Sequence, residues 1–430
     1  MSERIEVRIE KLVHGGSGLA HLDQGRTVFV NNVLPGEQVL IEIKRRRKGI
    51  LEAVPVEIVI PSRDRIKPLC DGELQCTGAT WPHIAYPAQV RYKEEILLDT
   101  LSRISGFSPA QPLAMLPSPK TDHYRLRTQF NVRTIQGKQR IGFFQQGSYR
   151  LVEVDDAFLL DPLINQTLKA IRSQIAELPH LSELHINSTP TRQVHLLMFG
   201  DQGPFPEPHS FFQKLKASIP ELVGLTGFSN RQKICSLGEK QLHLDIEGLA
   251  LNATEGNFYQ VNWDQNRAMV RSVLDFAALT GTETVLDLYC GIGNFALPLA
   301  KRARSVVGIE SGFSAIEDAK ANATLNNIEN AEFIADDMDK GLKALMNRKM
   351  RADVIVLDPP RAGATLTTLE RVLAFVPRKI IYVSCNPSTL ARDLKFFHLF
   401  GFRLDRLQPV DMFPYTYHIE CVAEMVREEG

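Results

Sequence analysis

Cys385 has a residue type and a setting suited to covalent chemistry. In "YVSCNPSTLARDL" it ends an apolar run and precedes an Asn-Pro pair that begins a helix pattern. By itself this stretch fits a packing thiol, a metal ligand or a nucleophile. Because a helix dipole favours the thiolate of a cysteine beside the helix N-terminus, we predict an activated nucleophile.

Glu420, in "DMFPYTYHIECVAEM", is a second candidate for chemistry. It lies in a short apolar setting after His418. A carboxyl group drawn into such a setting has its pKa raised, and it can then accept a proton near neutral pH. We therefore predict that Glu420 is a general base.

A glycine turn marks the site of a predicted cofactor. The segment "VLDLYCGIGNFALPLA" indicates a strand, a turn with Gly291 and Gly293, and a helix whose N-terminus a ligand can approach. Glu310 ends the next apolar strand, about 20 residues later, where an acidic side chain can bind ribose hydroxyls. The spacing predicts an adenosine-containing cofactor, although this motif alone also fits a nicotinamide or flavin dinucleotide.

The segment "VIVLDPPRAG" distinguishes between these cofactors. Asp358 lies at the end of a strand and is followed by two prolines and Arg361. Because a rigid proline turn can shape a pocket wall for a flat ring, this motif indicates S-adenosylmethionine with a nucleobase substrate. A proline turn that only ends a strand is the alternative interpretation.

The elements that must position these residues are predicted to form a parallel sheet. After Thr282, apolar strands alternate with helical segments of about 10 to 15 residues. Continuously apolar strands are typical of a sheet that is buried on both faces, and its ligands bind at the carboxyl ends of the strands. We therefore expect Gly291, Glu310, Asp358 and Cys385 to converge on one crevice.

The N-terminal region has a different pattern. Up to about residue 60, apolar and polar positions alternate between glycine-containing turns, which predicts a small antiparallel barrel. The region from 61 to 254 is predicted to be an α+β module. Five adjacent cations between two barrel strands repel one another unless a polyanion neutralises them, so we predict RNA contact rather than a solvated hairpin tip. These cations are Lys44, Arg45, Arg46, Arg47 and Lys48.

Composition limits the class of protein. Fifty basic and fifty acidic residues in a chain of 430 residues leave no net charge, so any RNA binding must use local patches. Six cysteines do not make a disulfide framework at this length. Because no apolar stretch is long enough to cross a membrane and no signal peptide is recognised, we expect a soluble, cytoplasmic protein.

Taken together, the motifs resemble those of the RNA uracil-5-methyltransferases that use S-adenosylmethionine. The first residues, up to about 60, resemble the TRAM barrel of that family, and its later motifs match "NFYQVN", "LDLYCGIGNF", "LDPPRAG", "VSCNPSTLARDL" and "MFPYTYHIE". The resemblance implies a TRAM/OB-like β-barrel at 1–62, a central α+β RNA-binding domain at 63–255 and an α/β class I (Rossmann-like) methyltransferase domain at 256–430. A segment near 86–119 is expected to pack with the catalytic domain.

The resemblance also implies roles for single residues. Cys385 is the implied nucleophile and Glu420 the implied base, with Asp358 positioning both and Arg127 in "YRLRTQF" stabilising an enolate charge. The thiolate adds to carbon 6 of uracil, carbon 5 takes the methyl group, and the base then removes the carbon 5 proton. The implied cofactor-binding residues are Gln260, Tyr289, Gly291, Gly293, Asn294, Glu310, Asp337 and Asp358.

The sequence departs from the family at a four-cysteine iron–sulfur site that many members carry. Cys70 and Cys76 keep the first spacing, but Ala79 and Ala157 stand where two further cysteines are expected. Because two thiolates cannot replace four ligands, we predict that no iron–sulfur cluster is bound. A labile metal bound by Cys70, Cys76 and His83 is the alternative.

Several substrates and activities remain open at this stage. The TRAM-like barrel favours 23S rRNA, and tRNA methylation of the uridine-54 type is the alternative. Amino-group methylation of adenine or guanine has no use for Cys385, and cytosine-5 methylation usually has other motifs around its cysteine. A non-catalytic RNA-binding protein on this scaffold is expected to lose the nucleophile and the base, and both are present. We expect a monomer.

Overall fold

The computed structural model of the chain describes residues 4–22, 25–47, 49–68, 78–145, 148–175, 178, 180–200, 205 and 207–428. These residues form an N-terminal barrel, a central sheet with helices on one face, and a larger C-terminal sheet with helices on both faces. The predicted three-part architecture is thus confirmed. Within the described residues, no helix combines the length and the apolar composition that crossing a membrane requires.

The N-terminal barrel is built from strands with alternating inward and outward side chains. Its strands are β1 Arg4–Arg8, β2 Lys11–Leu12, β3 Gly18–His21, β4 Thr27–Val30, β5 Gln38–Arg47 and β6 Ile50–Ile60. They follow the order β1-β5-β6-β4-β3-β2. Val28, Val30, Val39 and Ile41 fill the inside. β4 pairs with β6 in parallel, whereas the other pairs are antiparallel, so the predicted antiparallel barrel is wrong at this pair.

The basic run lies on a strand, and its predicted position between two strands is wrong. Lys44, Arg45 and Arg46 belong to β5, because β5 and β6 continue to pair as far as Arg47. Lys48 lies outside the described residues. The long hairpin therefore carries cations along its end, where side chains on alternate positions point to opposite faces.

Among the described residues between the barrel and the central sheet, the helix α1 Tyr86–Ser105 and the short strand β7 Gln111–Pro112 are formed. The helix ends at Gly106, which has a φ of +87° and donates its backbone amide to Ser102 O at 3.0 Å. α1 contributes Leu97 and Leu101 to the core of the C-terminal unit, and β7 pairs in parallel at the edge of the C-terminal sheet.

The central unit has a sheet in the order β10-β9-β8-β11-β12-β13-β14. Its elements are β8 Arg127–Ile135, β9 Lys138–Phe144, β10 Leu151–Val152, α2 Pro162–Ser173, β11 Leu181–Ser188, β12 Val194–Gly200, α3 Pro208–Ser218, β13 Leu222–Ser229 and β14 Gln232–Gly238. Leu184, Leu196 and Met198 of the sheet share one core with Leu168 of α2 and Leu215 of α3. A hairpin follows, formed by β15 Gln241–Ile246 and β16 Leu249–Thr254.

The C-terminal unit has the sheet order β19-β18-β17-β20-β21-β23-β22-β7. Its strands are β17 Thr284–Leu288, β18 Ser305–Glu310, β19 Ala331–Ala335, β20 Val354–Leu357, β21 Lys379–Ser384, β22 Phe402–Val410 and β23 Glu420–Arg427. Its helices are α4 Trp263–Ala277, α5 Ala296–Ala300, α6 Phe313–Leu325, α7 Met338–Asn347, α8 Leu366–Ala374 and α9 Pro387–Leu399. Neighbours among β17 to β21 pair in parallel, and β20 and β21 are buried along their whole length, which explains their continuous apolar runs.

The strand order of this sheet creates a crevice. From β17 the chain continues to β18 and β19 on one side of the sheet, and it then returns to β20 on the other side of β17. Loops from β17 and β20 therefore leave in opposite directions, and ligands of open α/β sheets bind at such a switch point.

Candidate active site

Four strand ends meet along the edge that contains the crevice. Tyr289 follows β17, Glu310 ends β18, Asp358 follows β20 and Cys385 follows β21. Because β18, β17, β20 and β21 are neighbours in that order, their carboxyl ends lie side by side. The sheet thus brings together the residues that were expected to converge.

Glu420 reaches the same edge from an antiparallel strand. It begins β23, and the next residue, Cys421, pairs with Ser384, which precedes Cys385. Its carboxyl group is buried, at 7% exposure. Burial raises the pKa of Glu420 well above its usual range, and Asp358 raises it further. This carboxyl group therefore keeps or accepts a proton at a pH where an exposed glutamate is ionised.

The predicted activation of Cys385 is wrong for the free protein. The pKa of its half-buried thiol is raised to about 12, first by burial and then by the carboxyl groups of Glu420 and Asp358. α9 does begin beside this cysteine, with Asn386 as its N-cap. Desolvation and two acidic neighbours nevertheless outweigh the helix dipole, so the resting form is the thiol.

Asp358 is electrostatically coupled to the other acids of the crevice. Its own pKa is raised to about 7, first by burial and then by Glu310. It in turn raises the pKa of Cys385, Glu420 and Asp287. Carboxyl groups that raise one another's pKa in this way cannot all be ionised at once without a compensating cation.

Asp287 is a buried acid that sequence reasoning missed. It lies within β17, is fully buried, and has no side-chain hydrogen-bond partner among the described residues, although the backbone amide of Ala296 at the start of α5 lies close enough to lower its pKa. Burial strongly raises its pKa, and Asp358 adds to this. An unpaired buried acid is costly unless a ligand completes its bonds. The available signal is an acidic residue inside the apolar run "VLDLY".

The backbone after β17 adopts an unusual conformation at the predicted cofactor turn. Tyr289 has a φ of +66°, a left-handed conformation that is uncommon for a residue other than glycine. Gly291 and Gly293 follow with φ of +53° and +94°. The backbone amides of Tyr289 and Cys290 both donate to Ile309 O, at 2.9 and 3.1 Å. Strained backbone of this kind concentrates at functional sites.

Two predicted cofactor residues already have partners within the protein. Asn294 exchanges two side-chain hydrogen bonds with Asn266 of α4, at 2.8 and 3.0 Å. Asp337 is the N-cap of α7, and its carboxylate accepts a hydrogen bond from Asp339 N at 3.0 Å. These contacts hold the loops of the crevice and leave each side chain with spare hydrogen-bonding capacity.

Arg127 contacts the segment that carries Gln260. Its Nη1 donates to Tyr259 O at 3.1 Å, and its guanidinium lies 4.7 Å from the centre of the Tyr259 ring. Arg361 is a different cation, and it lowers the pKa of both the predicted nucleophile and the predicted base. The "DPPRAG" motif therefore places a cation, to which sequence reasoning assigned no role, close enough to affect Cys385 and Glu420.

The loop before Glu420, residues 411–419, is held by buried polar side chains. Lys93 of α1 is fully buried, lies 2.6 Å from the Asp411 carboxylate and donates to Phe413 O at 2.9 Å. Four more side chains bind the backbone of this loop: Gln265 at Asp411 O, Asn262 at Met412 O, Tyr124 at Pro414 O and Gln89 at Tyr415 N. Three separate parts of the chain thus fix the segment that ends in the predicted base.

The described residues at the family's iron–sulfur position do not fit a cluster. Ala79 packs against an apolar group formed by Tyr124, Leu159 and Tyr415, and Ala157 is buried in the core of the central unit. Cys70 and Cys76 lie outside the described residues. In the part of the chain that the structure describes, no group of three or more His, Cys, Asp or Glu side chains could hold a metal ion.

Two family models match long parts of the sequence. The family model described as tRNA (uracil-5-)-methyltransferase matches residues 85–428, and the TRAM domain model matches residues 2–56. The chain belongs to the RNA (uracil-5-)-methyltransferase family. It is an S-adenosylmethionine-dependent enzyme with RNA as its partner.

Full-length relatives support the same assignment. An uncharacterized RNA methyltransferase of Caldanaerobacter subterraneus subsp. tengcongensis is 32% identical, with 99% of each chain covered. One of Aquifex aeolicus is 33% identical, with 97% of each chain covered. The crystal structure of Pyrococcus abyssi tRNA (uracil-54, C5)-methyltransferase, in complex with S-adenosyl-L-homocysteine, is 26% identical and has a TM-score of 0.77 over 98% of this chain and 99% of that chain.

The crevice of this family member fits S-adenosylmethionine. Asp287 offers buried oxygens without a side-chain partner, the turn at Gly291 leaves room for a ligand beside the start of α5, and Glu310 ends the neighbouring strand. A Cβ atom added at Gly291 would meet no atom within 4 Å, so the turn faces open space.

Proposed function

We propose that the enzyme methylates carbon 5 of a specific uridine through a covalent bond between Cys385 and carbon 6 of the base. The observation that carries this proposal is the meeting of Cys385 and Glu420 on one sheet edge, with Asp358 raising the pKa of both groups. Carbon 5 of uracil is a poor nucleophile until a thiolate adds to carbon 6, so the reaction needs both side chains.

In the first step, the Cys385 thiol loses its proton to solvent and the resulting thiolate forms a bond to carbon 6, while the electron pair of the carbon 5–carbon 6 double bond becomes an enolate. When bound, S-adenosylmethionine supplies a methyl group on a positively charged sulfur. A positive charge at this edge lowers the thiol pKa from about 12, as Arg361 already does in part. Arg361 acts on both reacting groups, so we propose it for enolate stabilisation together with Arg127.

With the cofactor bound, carbon 5 takes the methyl group as the methyl–sulfur bond breaks, which releases S-adenosylhomocysteine. In the last step, Glu420 in its carboxylate form removes the proton from carbon 5. The double bond forms again, and the bond to Cys385 breaks as the thiolate leaves. Asp358, which follows β20, and Glu420, at the start of β23, flank Cys385 of the middle strand end, and we propose that Asp358 positions the thiol and the base from there. The same buried carboxyl group takes up the proton because its pKa is raised.

Trapping with 5-fluorouridine tests this proposal. Fluorine at carbon 5 cannot be removed as a proton, so RNA that carries it should give an adduct with the enzyme that survives denaturing electrophoresis. Cys385→Ala should give none, whereas Cys235→Ala, which removes a half-buried thiol of the central unit, should give the normal amount. An adduct with the Cys385 variant would refute the assignment.

For the RNA, we propose 23S rRNA first, by analogy with the TRAM-like barrel. A uridine-54 type position in tRNA is the second candidate. The Pyrococcus abyssi tRNA enzyme covers 98% of this chain, so the presence of the barrel does not distinguish an rRNA substrate from a tRNA substrate. Mass-spectrometric mapping of 5-methyluridine in RNA from a deletion strain decides between them. If 5-methyluridine is lost from tRNA alone, tRNA replaces 23S rRNA as the proposed substrate.

Further parts of the proposal await their own tests. We propose domains at 1–62, 63–255 and 256–430, and a monomer that acts in the cytoplasm. The cations from Lys44 to Lys48 are proposed to contact RNA. No iron–sulfur cluster is proposed, and stoichiometric iron and sulfide in anaerobically purified protein would contradict this.

A further inference from the structure

Among the described residues, α2 and α3 cover one face of the central sheet. The other face is buried at His195 and Leu197 of β12 and reaches solvent at the end that contains Phe199. Leu184, Leu196 and Met198 point into the core beneath α2 and α3. Because side chains alternate along a strand, His185 and Phe199 lie on the opposite face. These two side chains are only half-buried, so this end of the face meets solvent.

Three rings lie next to one another at this end of the face, with the His185 and Phe199 planes tilted by 45° and the Phe199 and Phe228 planes nearly parallel. The His185 and Phe199 ring centres lie 4.7 Å apart, and the Phe199 and Phe228 centres lie 4.8 Å apart with planes at 9°. Phe199 and Phe228 are direct partners on the parallel strands β12 and β13. The three rings, which we call the aromatic ladder, therefore cross three adjacent strands of the sheet.

The ladder continues toward the cofactor crevice. Arg127 and Asn187 are partners on β8 and β11, two positions along from His185 on the same face. Arg127 lies 5.3 Å from the ring centre of Phe258, which is 64% exposed, and bonds the residue before Gln260. With about 4.8 Å between strands and about 3.3 Å per residue, the path from Arg127 to Phe228 measures roughly 20 Å.

The chemistry of this face fits unpaired RNA better than a folded protein partner. Polar side chains surround the rings: Gln129 and Arg133 on β8 are exposed, and Gln129 Nε2 donates to Glu183 Oε2 at 2.8 Å. A protein-binding patch of this size would need a continuous apolar centre. Rings between polar groups instead suit stacking with bases, and one sheet face of a small domain can stack two or three of them.

We propose that His185, Phe199 and Phe228 form a stacking platform for unpaired nucleotides that flank the target uridine. Such a platform holds the RNA strand outside the crevice while the target base enters it. The inference rests on the proposed function and deepens it, because it names the surface that binds the RNA around the target.

Replacing the two phenylalanines tests the platform. The double variant Phe199→Ala and Phe228→Ala should raise the KM for RNA roughly five- to hundred-fold, because each lost base stack weakens binding. At saturating RNA, kcat should stay normal, as should the KM for S-adenosylmethionine. Phe199→Tyr with Phe228→Tyr should restore the RNA KM, since tyrosine keeps a stacking ring. Phe400→Ala, which removes a 52% exposed ring at the end of α9, is the matched control and should change neither constant.

Crosslinking gives a readout that does not depend on turnover. RNA with 5-iodouridine at positions beside the target should crosslink on irradiation to peptides that contain Phe199 or Phe228. Three outcomes would overturn the platform. The RNA KM of the double variant could be unchanged, the crosslinks could lie only in other peptides, or the double variant could change its oligomeric state while it binds RNA normally. Absence of methylation and of the 5-fluorouridine adduct in the unmodified enzyme would instead overturn the proposed function.

Discussion

The catalytic crevice and the adjoining 411–419 loop use buried polar groups in opposite ways. In the crevice, Asp287 has two unpaired oxygens, and Glu420 has a strongly raised pKa. In the loop, Asp411 pairs with Lys93 at 2.6 Å, and side chains from several elements hold the backbone. The crevice acids keep bonding capacity for ligands. In the loop, polar side chains hold the backbone in one shape and a buried cation neutralises the acid, although Asp411 Oδ2 has no hydrogen-bond partner among the described residues.

The largest expected effect of a single change in the crevice concerns Glu420. Glu420→Gln should lower turnover by about 10²–10⁴-fold, because the amide cannot accept the carbon 5 proton. The methylated adduct on Cys385 should then accumulate, since its formation precedes the step that fails. Intact-protein mass spectrometry after mixing with RNA and cofactor measures this adduct. Normal turnover would remove Glu420 from the mechanism.

The loop should respond through stability when its ion pair is broken. Lys93→Met leaves Asp411 buried without its cation, and this should lower the free energy of unfolding by about 3–5 kcal/mol. Lys120→Met is the matched control, because its pair with Asp264 spans 3.5 Å at an exposed site and contributes about 0–1 kcal/mol. Urea unfolding of both variants measures the difference, and equal losses would show that the buried pair has no special role.

Identical substitutions in the two regions give a direct comparison. Asp287→Asn should weaken S-adenosylmethionine binding roughly ten-fold with little loss of stability, since the acid has no side-chain partner among the described residues and the amide oxygen of Asn can still face the Ala296 amide. Asp411→Asn should lower stability and leave cofactor affinity nearly unchanged in the molecules that fold. Calorimetric titration and thermal unfolding separate the two outcomes. Loss of stability in both variants would mean that Asp287 has a structural role.

A pH dependence of stability from Asp358 is a further expected effect. Its pKa is about 7 in the folded protein and about 3.9 when unfolded, so the folded state binds this proton more tightly. The stabilisation is complete below about pH 3.9 and is lost as the pH rises toward 7. Asp358→Asn removes this loss. The Tm of the variant should therefore rise relative to that of the unmodified protein as the pH increases from 5 to 8. A constant Tm difference over this range would contradict the assignment.

Local pattern predicted most of the fold and part of the site. The apolar runs before Asp358 and Cys385 are buried strands, and the glycine turn follows β17 as expected. Sequence reasoning was wrong about the thiol of Cys385, because it weighed the helix dipole without knowing that two acids lie beside it. It also placed Lys44 to Arg46 between strands, because charge alone does not reveal how far two strands keep pairing.

By itself, the sequence determined the parallel sheet and the edge on which the reacting residues lie, because periodicity and turn residues act over a few neighbouring positions. Only the tertiary structure decided that Lys93 meets Asp411 across 318 residues, that Asp287 lacks a partner, and that three rings align across the central sheet. Ion pairing, desolvation and ring stacking depend on distances between segments far apart in the chain, and local pattern does not encode these distances.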